Sequence, residues 1–101
     1  MGFLSFIFGA KKRQVAYYIE QGALILDVRT QREWDKGHLE NSVHIPLSDL
    51  NNRVNEVKSL KKSIIVCCES GVRSAKAAKF LVLNNIDAIN GGGWVKIKNN
   101  L

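Results

Sequence analysis

Short apolar runs alternate with amphipathic segments along the chain. Leu24-Ile25-Leu26-Asp27-Val28 is apolar but for one carboxylate, the pattern of a strand buried on both faces. Ser42-Val43-His44-Ile45 reads as a second short strand closed by Pro46, and Ile64 to Cys67 as a third. Ala88-Ile89 is a brief fourth, and Gly91-Gly92-Gly93 reads as a tight turn. Helical patterns lie between them. Gln14 to Gln21 places Val15, Ala16, Tyr18 and Ile19 at partial amphipathic spacing, with Gly22 suited to the C-terminal cap. Thr30-Gln31-Arg32-Glu33 fits a capping box that opens a short helix ending near Gly37. Ser48 reads as the cap of a helix to about Leu60, with Leu50, Val54, Val57 and Leu60 on one face. Arg73 to Asn84 is a mostly apolar helix, and Trp94 to Lys98 a terminal helix or arm.

Strands alternate with helices, and no hairpin signal joins them. That order predicts an α/β fold, a parallel sheet with helices on both faces. In such sheets ligands bind beyond the carboxyl ends of the strands. Cys68 stands at such an end.

Composition narrows the class. The 101 residues suit one small domain with a single core, and a 46% hydrophobic content argues against disorder. Two adjacent cysteines make neither a disulfide framework nor a metal site of the CxxC…CxxC type, so no metal and no cofactor are expected. Free thiols in a reducing compartment, the cytoplasm, are the simpler reading. Fifteen Lys+Arg against nine Asp+Glu give a formal charge of +6. The basic residues are scattered as on a solvated surface, and without aromatic–basic interleaving no nucleic-acid partner is expected. Steering of small anions is the functional alternative.

No stretch is long enough to cross a bilayer. Residues 1–13 form an apolar and basic arm, Phe3-Leu4-Ser5-Phe6-Ile7-Phe8 before Lys11-Lys12-Arg13, and residues 14–101 the domain. The charges follow the apolar run, the reverse of a secretory signal. Phe6 also stands where a myristoylation signal needs Ser or Thr. The arm is expected to pack onto the domain, with weak membrane-surface contact as its alternative role.

The chemistry concentrates at Cys68-Glu69-Ser70-Gly71-Val72-Arg73-Ser74. A thiolate is favoured near a helix N-terminus and cationic groups, and Cys68 is expected to have both. The backbone from Glu69 to Ser74 can curl into a nest of N–H groups around the sulfur, with Gly71 taking a backbone angle that side chains resist. Arg73 offers a planar fork of donors for an oxyanion, and Ser70 and Ser74 offer hydroxyls. Strand alternation sends Cys67 and Cys68 to opposite sides. Cys67 then reads as a small core residue and Cys68 as the nucleophile.

These residues, with four flanking motifs in order, resemble the single-domain rhodanese family of sulfurtransferases. The motifs are Leu26-Asp27-Val28-Arg29, Glu33-Trp34 through Gly37-His38, Ile45-Pro46, the Cys68–Ser74 loop, and Gly91-Gly92-Gly93-Trp94. The resemblance covers about residues 14 to 96. It implies a rhodanese-like sheet of four or five parallel strands, and a persulfide on Cys68. Sulfane sulfur would come from thiosulfate or a persulfide donor and go to a thiol or cyanide, with a sulfur-carrier protein as a further partner. It implies that the amides of Glu69, Ser70, Gly71, Val72 and Arg73 hold the persulfide and the anion, while Arg73 closes the loop. Asp27, Arg29 and Glu33 match positions of structural support. His38 falls in the turn before the second strand, where a structural hydrogen bond is expected rather than a general base.

Related phosphatases and arsenate reductases of this fold carry Cys-x5-Arg. Six residues from Cys68 to Arg73 make the loop one shorter, which favours sulfur over phosphate. A non-catalytic binding module is the other alternative, and a Cys67-Cys68 redox switch is disfavoured by ring strain. Glu69 departs from the basic loop residue common in members acting on thiosulfate. Facing the pocket, it would repel thiosulfate and raise the thiol pKa; facing solvent, its charge would be screened.

Overall fold

The computed structural model describes residues 2–101, and side chains from Gly9 onward. The elements run α1 (Gly2–Glu20), β1 (Leu24–Asp27), α2 (Gln31–Lys36), β2 (Val43–His44), α3 (Leu47–Ser59), β3 (Ile64–Cys68), α4 (Val72–Leu83), β4 (Ala88–Gly93) and α5 (Trp94–Asn99). The strands form one sheet in the order β2-β1-β3-β4, every pairing parallel. The sheet is thus the four-stranded case.

The period of two along β1 and β3 divides the interior into two layers. Leu26, Val28, Ile64, Val66 and Cys68 face Leu50 and Val57 of α3 and Ala77, Ala78 and Leu81 of α4. On the other side, Ile65 and Cys67 meet Val15 of α1 and Ile97 of α5. Ile65 and Leu81 are completely buried, and each such side chain contributes about 1.5 to 3 kcal/mol of transfer free energy. Every residue of β3 is buried, as its unbroken apolar run requires of a central strand.

The short α2 depends on its cap. Thr30 Oγ1 accepts the Glu33 amide at 3.2 Å, and the Glu33 carboxylate accepts the Thr30 amide at 3.0 Å. A cap of this kind stabilises a helix by about 1 kcal/mol.

Three sequence expectations are corrected. The helix expected from Gln14 is the end of α1, which begins at Gly2 and runs through the basic triplet without a break. The membrane-surface role rested on Phe3 to Phe8, whose side chains lie outside the described residues. Ser48 is inside α3, whose N-cap is Pro46 with no side-chain cap bond. The residue before a proline is kept out of helical backbone angles, so the helix does not start ahead of Pro46. Finally, Gly91-Gly92-Gly93 is no turn but the second half of β4, interrupted by a bulge. Val66 pairs with Asn90 and Cys67 with Gly92, which leaves Gly91 as the extra residue. A Cβ on Gly91 would come within 2.6 Å of Ile65 Cγ2 and 2.9 Å of Ile97 Cδ1, so the strand closes against α5 only because that atom is missing.

Candidate active site

β3 ends at Cys68 and α4 begins at Val72, so three residues carry the chain across the carboxyl edge of the sheet. Gly71 makes the reversal. Its φ of 100° lies in the left-handed region, and its Cα face packs so near Gly92 that a Cβ would stand 3.3 Å from Gly92 Cα. This turn aims the next amides back at the sulfur. Gly71 N donates to Cys68 Sγ at 3.0 Å and Ser74 N at 3.3 Å, while Ser74 Oγ lies 3.2 Å away.

The sulfur is almost closed over, Cys68 being 1% exposed. Burial opposes ionisation, but the Ser74 hydroxyl and the amides of Ser74, Gly71 and Ser70 outweigh it, so the thiol pKa lies below its ordinary value. Cys67, one residue earlier, shows the contrast. It is completely buried in the α1/α5 layer, and desolvation there pushes its pKa far up. Two neighbouring cysteines are therefore separated into an inert core residue and a polarised thiol by the strand's alternation.

Arg73 does not present its fork to the loop centre. Nη1 and Nη2 donate to Glu33 Oε1 and Oε2 at 2.6 and 2.9 Å, clamping α4 to α2. The pair holds the Glu33 carboxyl down at about 2, chiefly through the Arg73 hydrogen bonds, which outweigh burial, with the Thr30 bonds helping. The expectation of an oxyanion fork is corrected accordingly, because the guanidinium already has a carboxylate of matching geometry.

Asp27 and Arg29 form a buried pair behind the loop. Arg29 Nε and Nη2 reach the Asp27 carboxylate at 3.0 and 2.8 Å, Nη2 also donates to the Gly37 carbonyl, and the guanidinium lies 4.7 Å from the Trp94 ring centroid. The pair ties β1 to the end of α2 and so supports Glu33 from below. Glu69 points outward: its side chain is 59% exposed, and its carboxylate lies 3.7 Å from Arg29 Nη1. Ser70 and Val72 line the outer side of the loop, along a cleft of about 880 Å³ bordered by Lys11 and Lys12 of α1 and Val95 of α5.

His38 packs on Trp34 of α2. Its Nδ1 bonds the Trp34 carbonyl at 2.8 Å, and its ring stacks on Trp34 at 3.5 Å between centroids. Sequence reading overlooked Asn90, whose amide bridges Ser74 and Gly71. The signal was a polar residue two positions after Ala88 in a strand, on its inward-facing side. Among the described residues, no group of three or more His, Cys, Asp or Glu could hold a metal ion. No helix among them is long and apolar enough to cross a membrane.

A family profile for the rhodanese-like domain matches residues 12–100. The chain belongs to the rhodanese-like domain family. Two relatives are among those this rhodanese-like domain matches. It is 44% identical over 55 residues to the putative sulfur carrier protein YrkF of Bacillus subtilis, a match that covers 54% of this chain but only 29% of YrkF. It is 32% identical over 76 residues to the thiosulfate sulfurtransferase GlpE of Pseudomonas syringae, covering 72% of this chain and 71% of GlpE. A crystal structure of a rhodanese-like domain protein from Staphylococcus aureus superposes with a TM-score of 0.67 at 34% identity, over 73% of this chain and 72% of the other.

Proposed function

We propose that this rhodanese-like domain moves sulfane sulfur through a persulfide on Cys68. The observation that carries the reading is the convergence of Gly71 N, Ser74 N and the Ser74 hydroxyl on one sulfur at the start of α4. These donors stabilise negative charge on Sγ before reaction, and on the persulfide after it. The names of YrkF and GlpE, sulfur carrier and thiosulfate sulfurtransferase, support the same class.

The steps balance without a cofactor. The Cys68 thiolate attacks the sulfane sulfur of the donor. The donor's S–S bond breaks, and the leaving group departs with the electron pair, as sulfite when thiosulfate is the donor. The acceptor, a thiolate or cyanide, then attacks the outer sulfur and takes it away, restoring the Cys68 thiolate. Two free cysteines suit a reducing compartment such as the cytoplasm.

The tie between Arg73 and Glu33 argues against the phosphatase alternative, because the Nη1–Nη2 edge of the guanidinium is turned to α2 and held by a carboxylate rather than left open to a phosphate. Lys11 and Lys12 beside the loop are placed to steer an anionic donor. Glu69 points to solvent, 3.7 Å from Arg29 Nη1, so its charge is screened and weakens thiosulfate as a donor only modestly. The test is steady-state transfer from each donor to cyanide or a thiol. Transfer should vanish in Cys68→Ser and persist in Cys67→Ala. Full turnover by Cys68→Ser would overturn the proposal.

A further inference from the structure

One side chain outside the loop fastens it to the sheet. Asn90 stands opposite Val66 in β4, just before the bulge. Its Nδ2 donates to the Gly71 carbonyl at 3.0 Å. Its Oδ1 accepts from Gly92 N at 2.9 Å and from Ser74 Oγ at 2.7 Å. The backbone carbonyl of the same residue accepts from Lys11 Nζ at 2.8 Å.

The partners settle which way the amide points. The Gly71 carbonyl only accepts and the Gly92 amide only donates, so Oδ1 is the atom that faces Ser74. A serine hydroxyl has one proton. While that proton lies on Asn90 Oδ1, it is not on Cys68, and the neutral thiol donates its own proton to Ser74 Oγ across 3.2 Å. A thiolate has no proton to give. When Cys68 ionises, the Ser74 hydroxyl turns to the sulfur, and Asn90 Oδ1 keeps the Gly92 amide. The two states differ by the Cys68 proton, which leaves for solvent, and by one rotation of a buried hydroxyl.

We propose that Asn90 is a positioning residue: it sets the direction in which the Ser74 hydroxyl donates, and through it the ease with which Cys68 gives up its proton. The inference rests on Cys68 being the reactive group. The role calls for an amide. Asp would lose the donor to Gly71 and place a charge beside the sulfur; Ala would lose both ends.

The other charged and titratable groups around the site lie on several packed elements, with Lys96 of α5 and Lys12 of α1 bordering the cleft. α4 brings Arg73, neutralised by Glu33 of α2. The loop brings Glu69, facing Arg29, which is itself paired with Asp27 of β1. β3 brings Cys67 on its far face, and α1 brings Lys11 at the Asn90 carbonyl. The hydrogen bonds that the Cys68 sulfur and the Ser74 hydroxyl make to Gly71, to Asn90 and between themselves involve neither Arg73, Glu33, Glu69, Arg29, Asp27, Cys67 nor Lys11.

The experiment reads Cys68 ionisation directly, as the pH dependence of alkylation by iodoacetamide in a Cys67→Ala background. Asn90→Ala is compared in the presence of Ser74 and of Ser74→Ala. With the hydroxyl present, removing its competing acceptor favours the thiolate. Releasing the Gly71 carbonyl acts equally in both backgrounds and cancels in the comparison. The alkylation rate at neutral pH should therefore change by a ratio about three- to tenfold more favourable with Ser74 than without it, the effect of one hydrogen bond. An equal change in both backgrounds would overturn the proposal. Should Asn90→Ala fail to fold, Asn90→Asp carries the test: its carboxylate holds the hydroxyl proton more firmly, so alkylation slows more with Ser74 than without. Equal slowing would overturn it. Alkylation does not require sulfur transfer, so loss of the transfer reading alone would leave this result standing.

Discussion

Replacing Glu33 by Gln removes the charge that clamps α2 to α4, and the structure says how much that should cost and where in pH the cost disappears. In the folded protein the Glu33 carboxyl is held at about 2, below its ordinary value of 4.5, first by the Arg73 hydrogen bonds. That difference corresponds at most to about 3 kcal/mol in favour of the charged form. Both side chains are about a third exposed, at 33% for Arg73 and 30% for Glu33, so solvent screening reduces the figure to about 1 to 2 kcal/mol. A carboxyl depressed on folding stabilises the fold at pH above its unfolded value and loses that effect as pH falls through the folded one. The penalty of Glu33→Gln should therefore be full near pH 7 and shrink between about pH 4.5 and pH 2. Urea denaturation of both proteins at pH 7 and at pH 2.5 measures it. Gln retains an oxygen for the Thr30 amide, so the cap of α2 is largely preserved and the difference isolates the clamp. A penalty of equal size at both pH values would refute the reasoning, as would none at pH 7.

Three further outcomes follow from the same geometry. Gly93→Ala would place a Cβ 2.7 Å from the Glu69 carbonyl oxygen, so sulfur transfer should fall by at least about tenfold with modest destabilisation, read by comparing kcat/KM with the melting temperature. Gly91→Ala strikes Ile65 and Ile97 in the core instead, and should cost about 1 to 3 kcal/mol in urea denaturation. Glu69→Lys should raise kcat/KM for thiosulfate by about two- to fivefold, the scale of an exposed charge, and less for an uncharged persulfide; an unchanged ratio between donors would show that the loop charge does not select them.

Much of this fold was legible because its signals are local. The alternation of Leu24–Val28 and Ile64–Cys68 with amphipathic segments is enough for a parallel sheet, and Thr30 with Glu33 announces the start of α2. The separation of Cys67 from Cys68 follows from strand geometry alone. What escaped depends on distant partners. Glycines usually mark turns, but Gly91 to Gly93 extend β4: Ile65 and Ile97 leave no space for a side chain at Gly91 and the Glu69 carbonyl none at Gly93, while Gly92 has open space but a φ of 86°. Arg73 sits where an anion-binding residue is expected, and only the placement of α2 shows that Glu33 occupies its fork. Ser48 resembles a cap, yet Pro46 fixes the entry one residue before the helix starts. Asn90 escaped for the same reason: its polarity within a strand is a local signal, but its partners, Gly71 and Ser74, lie 19 and 16 residues away.

The central claim is that Cys68 carries the sulfur. Intact-protein mass spectrometry tests it most directly, after incubation with thiosulfate or a low-molecular-weight persulfide and removal of excess donor. The account predicts one added sulfur on the wild-type chain and on Cys67→Ala, and none on Cys68→Ser. An adduct that survives in Cys68→Ser, or the absence of any adduct from every donor, would contradict it.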